Sequence, residues 1–189
     1  MDKTVVKKNR RIPTKKLVYT ALMTALIAVL SQVSFPLPSG VPVTLQTFAV
    51  AFSGYFCGIW GAVALLIYLA LGAVGVPVFA SFKGGFSALI GLTGGFLVGF
   101  IPFVLACSIR IKTKNEISNG ILRVIFGLIG LIICHLFGAW WFGYQSGNGF
   151  TKSLLLVSVP YIAKDVISVV GAYLFNVLLK KRTKLGFEN

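Results

Sequence analysis

The sequence predicts an all-α integral membrane bundle of six transmembrane helices with both termini in the cytoplasm. Three observations lead there. Hydrophobic residues make up 57% of the 189-residue chain and charged residues 12%, against about 25% charged in soluble domains. Apolar stretches close to the roughly 20 residues that cross a bilayer recur along the chain. The eighteen Lys and Arg residues, all but Lys83, Lys152 and Lys164, fall in three clusters that each abut an apolar stretch, which is where the positive-inside bias acts. Residues 1–16 read as a basic cytoplasmic tail, 17–180 as the membrane domain and 181–189 as a second basic tail.

The first helix is expected over 17–35. A basic region precedes it, but the apolar run is long for a signal peptide and no Ala-x-Ala cleavage pattern follows, so it is read as retained. Ala21 and Ala25 stand one turn apart on it, a small-xxx-small spacing that serves either packing within the chain or docking of another membrane subunit. Pro36, Pro38 and Pro42 make the next connection stiff and non-helical. Residues 45–74 are long for one span and short for two. Gly58 and Gly61 mark a tight turn at their centre. Two short helices bring all three basic clusters to one side, as the positive-inside rule requires, and one long helix does not.

A second external connection follows over 75–85, then a span over 86–109. Gly91, Gly95 and Gly99 recur at four-residue spacing there and form a smooth stripe for a neighbouring helix. Thr93 and Gly94 also offer polarity to a ligand. The fifth span, 120–144, carries His135 on an apolar face. A core histidine is favoured over a metal ligand, because no second ligand stands at suitable spacing. Trp140, Trp141 and Tyr144 close that helix as an aromatic belt, with Tyr144 in reach of a pocket. The third external connection is expected from Gln145 to about Val159. The last span is 160–180, with Pro160 suited to its first turn.

The formal charge of +14 points to anionic lipid headgroups and not to nucleic acid, because it flanks apolar segments. Cys57, Cys107 and Cys134 lie in apolar stretches with neither disulfide nor zinc spacing. One histidine, no paired carboxylates and no nucleotide-binding loop leave nothing to catalyse a reaction, hydrolyse ATP or hold a metal or cofactor. The expected place is the plasma membrane of a prokaryote, as a multi-pass protein.

Asp165 is the informative residue. The other three acids, Asp2, Glu116 and Glu188, lie in polar segments, whereas Asp165 sits with Lys164 inside the last apolar stretch. A carboxylate in a spanning helix costs about 2.5–3.5 kcal/mol on insertion scales, so it faces a cavity or a partner. A structural charge pair within the bundle is one reading. Ligand contact is the favoured one. Thr44 and Gln46 stand near the same outer level, Thr44 as a helix cap and Gln46 as a donor and acceptor toward a ligand.

Three ordered segments carry a resemblance: Val41-Pro42-Val43-Thr44-Leu45-Gln46-Thr47-Phe48, Tyr68-Leu69-Ala70-Leu71-Gly72-Ala73-Val74-Gly75-Val76-Pro77-Val78-Phe79, and Gly91-Leu92-Thr93-Gly94-Gly95-Phe96-Leu97-Val98-Gly99-Phe100. They resemble the BioY family, the biotin-binding S components of energy-coupling factor (ECF) transporters. The resemblance implies a six-helix bundle, biotin bound near the outer face, Ala21 and Ala25 facing the coupling membrane subunit, and two partner ATPases. In the family's last helix a Gly-Asp pair is followed by a lysine one turn later. Here Lys164 precedes Asp165 and Ser168 takes the later position.

On that resemblance, Asp165 accepts from the ureido N–H groups of biotin. Lys164 serves either the ureido carbonyl or the valerate. Phe79, Phe86 and Tyr144 pack the rings, Gln46 and Thr93 add polar contacts, and Thr44, Gly94, Gly95 and Tyr161 complete the candidate set. A stand-alone secondary transporter of a vitamin-like solute is the alternative, against which no inverted repeat is visible.

Overall fold

A computed structural model describes residues 13–111 and 115–183. Most of the N-terminal basic tail, Lys112, Lys114, Lys184, Asp2 and Glu188 lie outside the described residues. The elements run α1 (Thr14–Gln32), β1 (Ser34–Phe35), β2 (Val43–Thr44), α2 (Gln46–Cys57), α3 (Ile59–Ala73), a 3₁₀ turn (Ala80–Phe82), α4 (Phe86–Ile90), α5 (Gly94–Ser108), α6 (Glu116–Ser146), α7 (Phe150–Val157) and α8 (Val159–Thr183). Eight α-helices are therefore present among the described residues, where the sequence predicts six.

Helix α1 stops at Gln32 because the chain turns into a small hairpin. Ser34 pairs with Thr44 and Phe35 with Val43, antiparallel. The three prolines lie between or beside these strands, where their missing N–H groups cost no helical bond. Gln32 then ties down the connection after α3: its Nε2 donates to the Val78 carbonyl at 2.9 Å, and its Oε1 accepts from the Phe82 N–H at 2.9 Å.

The long apolar stretch splits at Gly58, which adopts φ 60° and ψ −134°. An L side chain rarely takes that conformation, so the glycine sets the break. Every residue of α2 except Phe48 is buried. Twelve residues span only about 18 Å, less than the roughly 30 Å hydrocarbon core. A helix that short is compatible with a bilayer only inside a sheath of longer ones. Among the described residues, the helices long and apolar enough to cross are α1, α6 and α8, over Thr14–Gln32, Glu116–Ser146 and Val159–Arg182. Helices α3 and α5 are shorter and apolar.

Two predicted elements change. The 86–109 span breaks into α4 and α5 at Gly91–Thr93, so Gly91 leaves the stripe, and only Gly95 and Gly99 face α6. Carbonyls freed by a helix end must find donors, and α6 supplies them: Trp141 Nε1 donates to the Gly91 carbonyl at 2.9 Å and Gln145 donates to the Ile90 carbonyl. Trp141 thus caps a broken helix, a role the belt assignment did not foresee. The connection expected from Gln145 to Val159 contains α7. Helix α6 is capped at its start by Asn115, whose side chain accepts from the Ile117 N–H at 3.0 Å, and at its end by Gly147 in the left-handed region with φ 70°.

Helices α2 and α5 meet at Gly54, where a Cβ would stand 2.7 Å from Cys107 Cβ. Gly54→Leu should therefore force the central helix off α5, destabilising the protein by about 1–3 kcal/mol as overpacking does. A lowered midpoint in detergent thermal unfolding is expected, and an unchanged one would contradict this packing.

Candidate functional site

Two adjoining cavities lie beneath the hairpin, and Val41, Pro42, Phe96 and Phe100 line both. The first, of about 70 Å³, is completed by Thr44, Gln46, Phe79, Ala80, Lys83, Ala88, Thr93 and Leu97. The second, of about 50 Å³, is completed by Thr47, Leu131, Cys134, His135, Val157, Tyr161, Lys164 and Asp165. Ordinary ligand pockets hold about 300–1,000 Å³. A whole ligand fits only if the partition of Val41, Pro42, Phe96 and Phe100 gives way and the cavities join.

Asp165 stands in the second turn of α8 and is 4% exposed. Its Oδ2 lies 3.2 Å from His135 Nε2 on α6, and the Lys164 ammonium pairs with its Oδ1. Adjacent helical positions point about 100° apart, yet the long lysine chain bends back to its neighbour. Oδ1 makes no directed hydrogen bond beyond that ion pair, and the Thr47 hydroxyl on α2 is a third protein donor to the carboxylate. A carboxylate offers about four lone-pair sites, so acceptor capacity remains toward the cavity it lines. Three donors from the protein take up most of those sites, and the side chain still lines the cavity.

Helix α8 fastens the hairpin at two points. Lys164 Nζ donates to the Thr44 carbonyl at 2.7 Å. The Tyr161 hydroxyl bonds the Val41 carbonyl and lies 3.0 Å from Ser39 Oγ. The same side chains that flank the carboxylate therefore hold the roof over it. In the first cavity Gln46, 4% exposed, donates through Nε2 to the Tyr68 hydroxyl at 3.0 Å. The Phe79 ring sits edge-on to Tyr68, with centroids 5.5 Å apart.

Of the residues singled out from the sequence, Thr44, Gln46, Phe79 and Thr93 line the first cavity and Tyr161, Lys164 and Asp165 the second. Four do not. Phe86 is 65% and Tyr144 77% exposed, and neither lines a cavity wall. Tyr144 stacks on Trp140 instead. Gly94 and Gly95 are buried against Leu89 and Trp141, where a Cβ would have no room. They bring α4 and α6 close to α5 and offer no surface to the cavities.

Sequence reasoning missed His135, Tyr68, Phe96 and Phe100. His135 and Asp165 are thirty positions apart on different helices, so no spacing rule joins them. Phe96 and Phe100 were findable. They stand one turn apart beside Gly95 and Gly99, so the stripe that packs on α6 carries both rings on an adjoining face. Cys57, Cys107 and Cys134 are buried and unpaired.

The sequence matches the model of the BioY family over residues 3–185. It is 36% identical over 168 residues to the biotin transporter BioY of Thermotoga maritima, covering 88% of this chain and 96% of that one. It is 34% identical over 172 residues to the biotin transporter BioY of Rhizobium etli, covering 85% and 90%. The fold superposes with a TM-score of 0.78 and 26% identity on a crystal structure of the S-component for biotin from an ECF-type ABC transporter, covering 93% of this chain and 96% of that one. On the breadth of the family match and the identity to its members, the chain belongs to the BioY family.

Proposed function

We propose that the chain is the biotin-binding membrane subunit of an ECF transporter, which captures the vitamin at the outer face and hands it to an ATP-driven complex. The observation that carries this reading is the Asp165 carboxylate, buried in a cavity wall with acceptor capacity left. The relatives named for biotin support the ligand, and the solved neighbour named as an S-component supports the role. The stand-alone secondary transporter is the less favoured reading for the same reason.

In the membrane, α1, α2, α3, α5, α6 and α8 are the six spans, with both termini cytoplasmic. The short helices α4 and α7 and the hairpin then sit at the outer side above the cavities. Asp165 accepts the ureido N–H groups in charge-assisted hydrogen bonds, each contributing about 1.5–3 kcal/mol. Lys164 pairs with that carboxylate and serves the ureido carbonyl. Lys83, at the first cavity, is the cation for the valerate. Phe79, Phe96 and Phe100 pack the ring system, and Gln46, Thr44, Thr93 and Tyr161 frame it. Phe86, Tyr144, Gly94 and Gly95 have no part in binding. The partition between the cavities must part for entry, so the pins from α8 to the hairpin set how readily it does.

Ala21 and Ala25 are exposed on α1 and line an apolar groove of about 440 Å³ between α1 and α3, with Leu17, Trp60, Val63, Ile67 and Leu71 among its walls. Small side chains there admit close approach of another helix. That groove is the docking face for the coupling membrane subunit, and through it for two ATPase subunits. No binding loop for nucleotide is needed in this chain.

Asp165→Asn should weaken biotin binding about tenfold or more in a detergent titration while the protein still inserts. Unchanged affinity discards the assignment. Phe86→Ala and Tyr144→Phe should leave affinity unchanged in the same titration. A large loss in either would restore them to the site. Ala21→Trp should abolish uptake or assembly yet spare biotin binding, and normal uptake in cells would remove the groove from the docking surface.

A further inference from the structure

Three cations from three elements converge at the other end of the bundle. Lys180 stands fifteen residues along α8 from Asp165, about 22 Å by helical rise. Arg110 follows α5, and its Nη2 donates to the Phe56 carbonyl at 3.2 Å. Arg123, on α6, donates through Nη2 to the Tyr55 carbonyl at 2.8 Å. Its guanidinium lies 5.3 Å from the Tyr55 ring centre and 5.6 Å from that of Tyr173. Tyr173, against that guanidinium, precedes Lys180 by seven residues on α8, two turns along the same face, so Lys180 continues the side of α8 that meets Arg123.

Part of this arrangement closes the C-terminus of α2. Tyr55 and Phe56 belong to its last turn, where carbonyls lack intrahelical partners and cations are favourable. Closure does not use up the charge. A guanidinium carries five N–H donors, and Arg123 Nε is buried without a hydrogen bond. Among the described residues neither Arg123 nor Lys180 pairs with a carboxylate. Glu116, seven positions before Arg123 on α6, is exposed. One turn before Lys180, Asn176 is wholly buried with both amide atoms unpartnered. Like charges repel more strongly away from bulk water, so Arg123 and Lys180 are stable side by side when an anion joins them.

The location narrows the anion. Arg123 lies where the apolar run of α6 begins and Lys180 where that of α8 ends, which is the headgroup level of a bilayer. Leu174 and Leu178, exposed on α8, continue the surface toward hydrocarbon. Basic pockets between transmembrane helices bind acidic headgroups, and the arginine fork matches two phosphate oxygens. We propose that Arg110, Arg123 and Lys180 form a binding site for the phosphate of an anionic phospholipid, held at the end of the bundle remote from the biotin cavities. This site does not depend on the biotin assignment.

Native mass spectrometry of the purified full chain tests it, with phosphatidylglycerol, phosphatidylcholine and inorganic phosphate as separate probes. Preferential retention of phosphatidylglycerol is expected. Lys180→Gln and Arg110→Gln should each lower it about fivefold, and Lys152→Gln, on exposed α7, should not. Lys180→Gln leaves the Arg123–Tyr55 bonds in place, and an unchanged thermal midpoint will show that it folds. Equal retention of the two lipids, or equal retention by wild type and Lys180→Gln, overturns the site. Displacement of the lipid by millimolar inorganic phosphate assigns it to a free phosphate and overturns the lipid reading. Loss of assembly with the coupling subunit, at unchanged lipid retention, assigns the cations to a protein carboxylate and does the same.

Discussion

One buried carboxylate organises the functional half of this protein. Asp165 carries a charge among apolar helices, where insertion costs about 2.5–3.5 kcal/mol. It takes an imidazole from α6 and an ammonium from its own neighbour. Breaking such a pair by removing one partner costs about 3–5 kcal/mol, because the charge that remains is uncompensated. The network is therefore a constraint on the fold as well as a feature of the site. Helix α6 must present His135 at that level. Lys164, once drawn toward Asp165, is also in reach of the Thr44 carbonyl. The hairpin, the last helix and the cavity wall are thus coupled through two adjacent residues.

The architecture around that charge follows from length. A twelve-residue α2 cannot face lipid over a full bilayer, so it runs through the centre and is buried nearly all round. Small residues make this feasible: Gly54 against α5, and Gly95 and Gly99 of α5 against α6. The longer helices carry the apolar outer surface, with Ile121, Ile125, Ile129, Ile132 and Ile133 of α6 all exposed. In water such exposure would be a liability, and in lipid it is the solvated face.

The two ends of the bundle solve the same problem differently. At the cavity end, the break between α4 and α5 frees carbonyls that Trp141 and Gln145 satisfy from α6. At the other end, the break after α2 is closed by Arg110, just past α5, and by Arg123 from α6. Neutral donors close the helix break at the end that holds the buried carboxylate, and cations close the break at the other end.

The amino-acid sequence alone determined the class of the protein, a helical membrane protein, and the break inside its longest ambiguous stretch. Composition demanded lipid, the charge clusters split 45–74 into two helices, and Gly58 marked the turn because only its missing Cβ tolerates the conformation there. Asp165 stood out because the physics of insertion is local and needs no fold to state it. What surrounds Asp165 was not legible. His135 reaches it from another helix, Phe86 and Tyr144 point away despite lying in suggestive segments, and the Gly91 stripe breaks where α4 ends and Trp141 and Gln145 take up the freed carbonyls. Those outcomes depend on which helix faces meet, and facing is set by packing between segments distant in the chain. Only the tertiary structure could decide it.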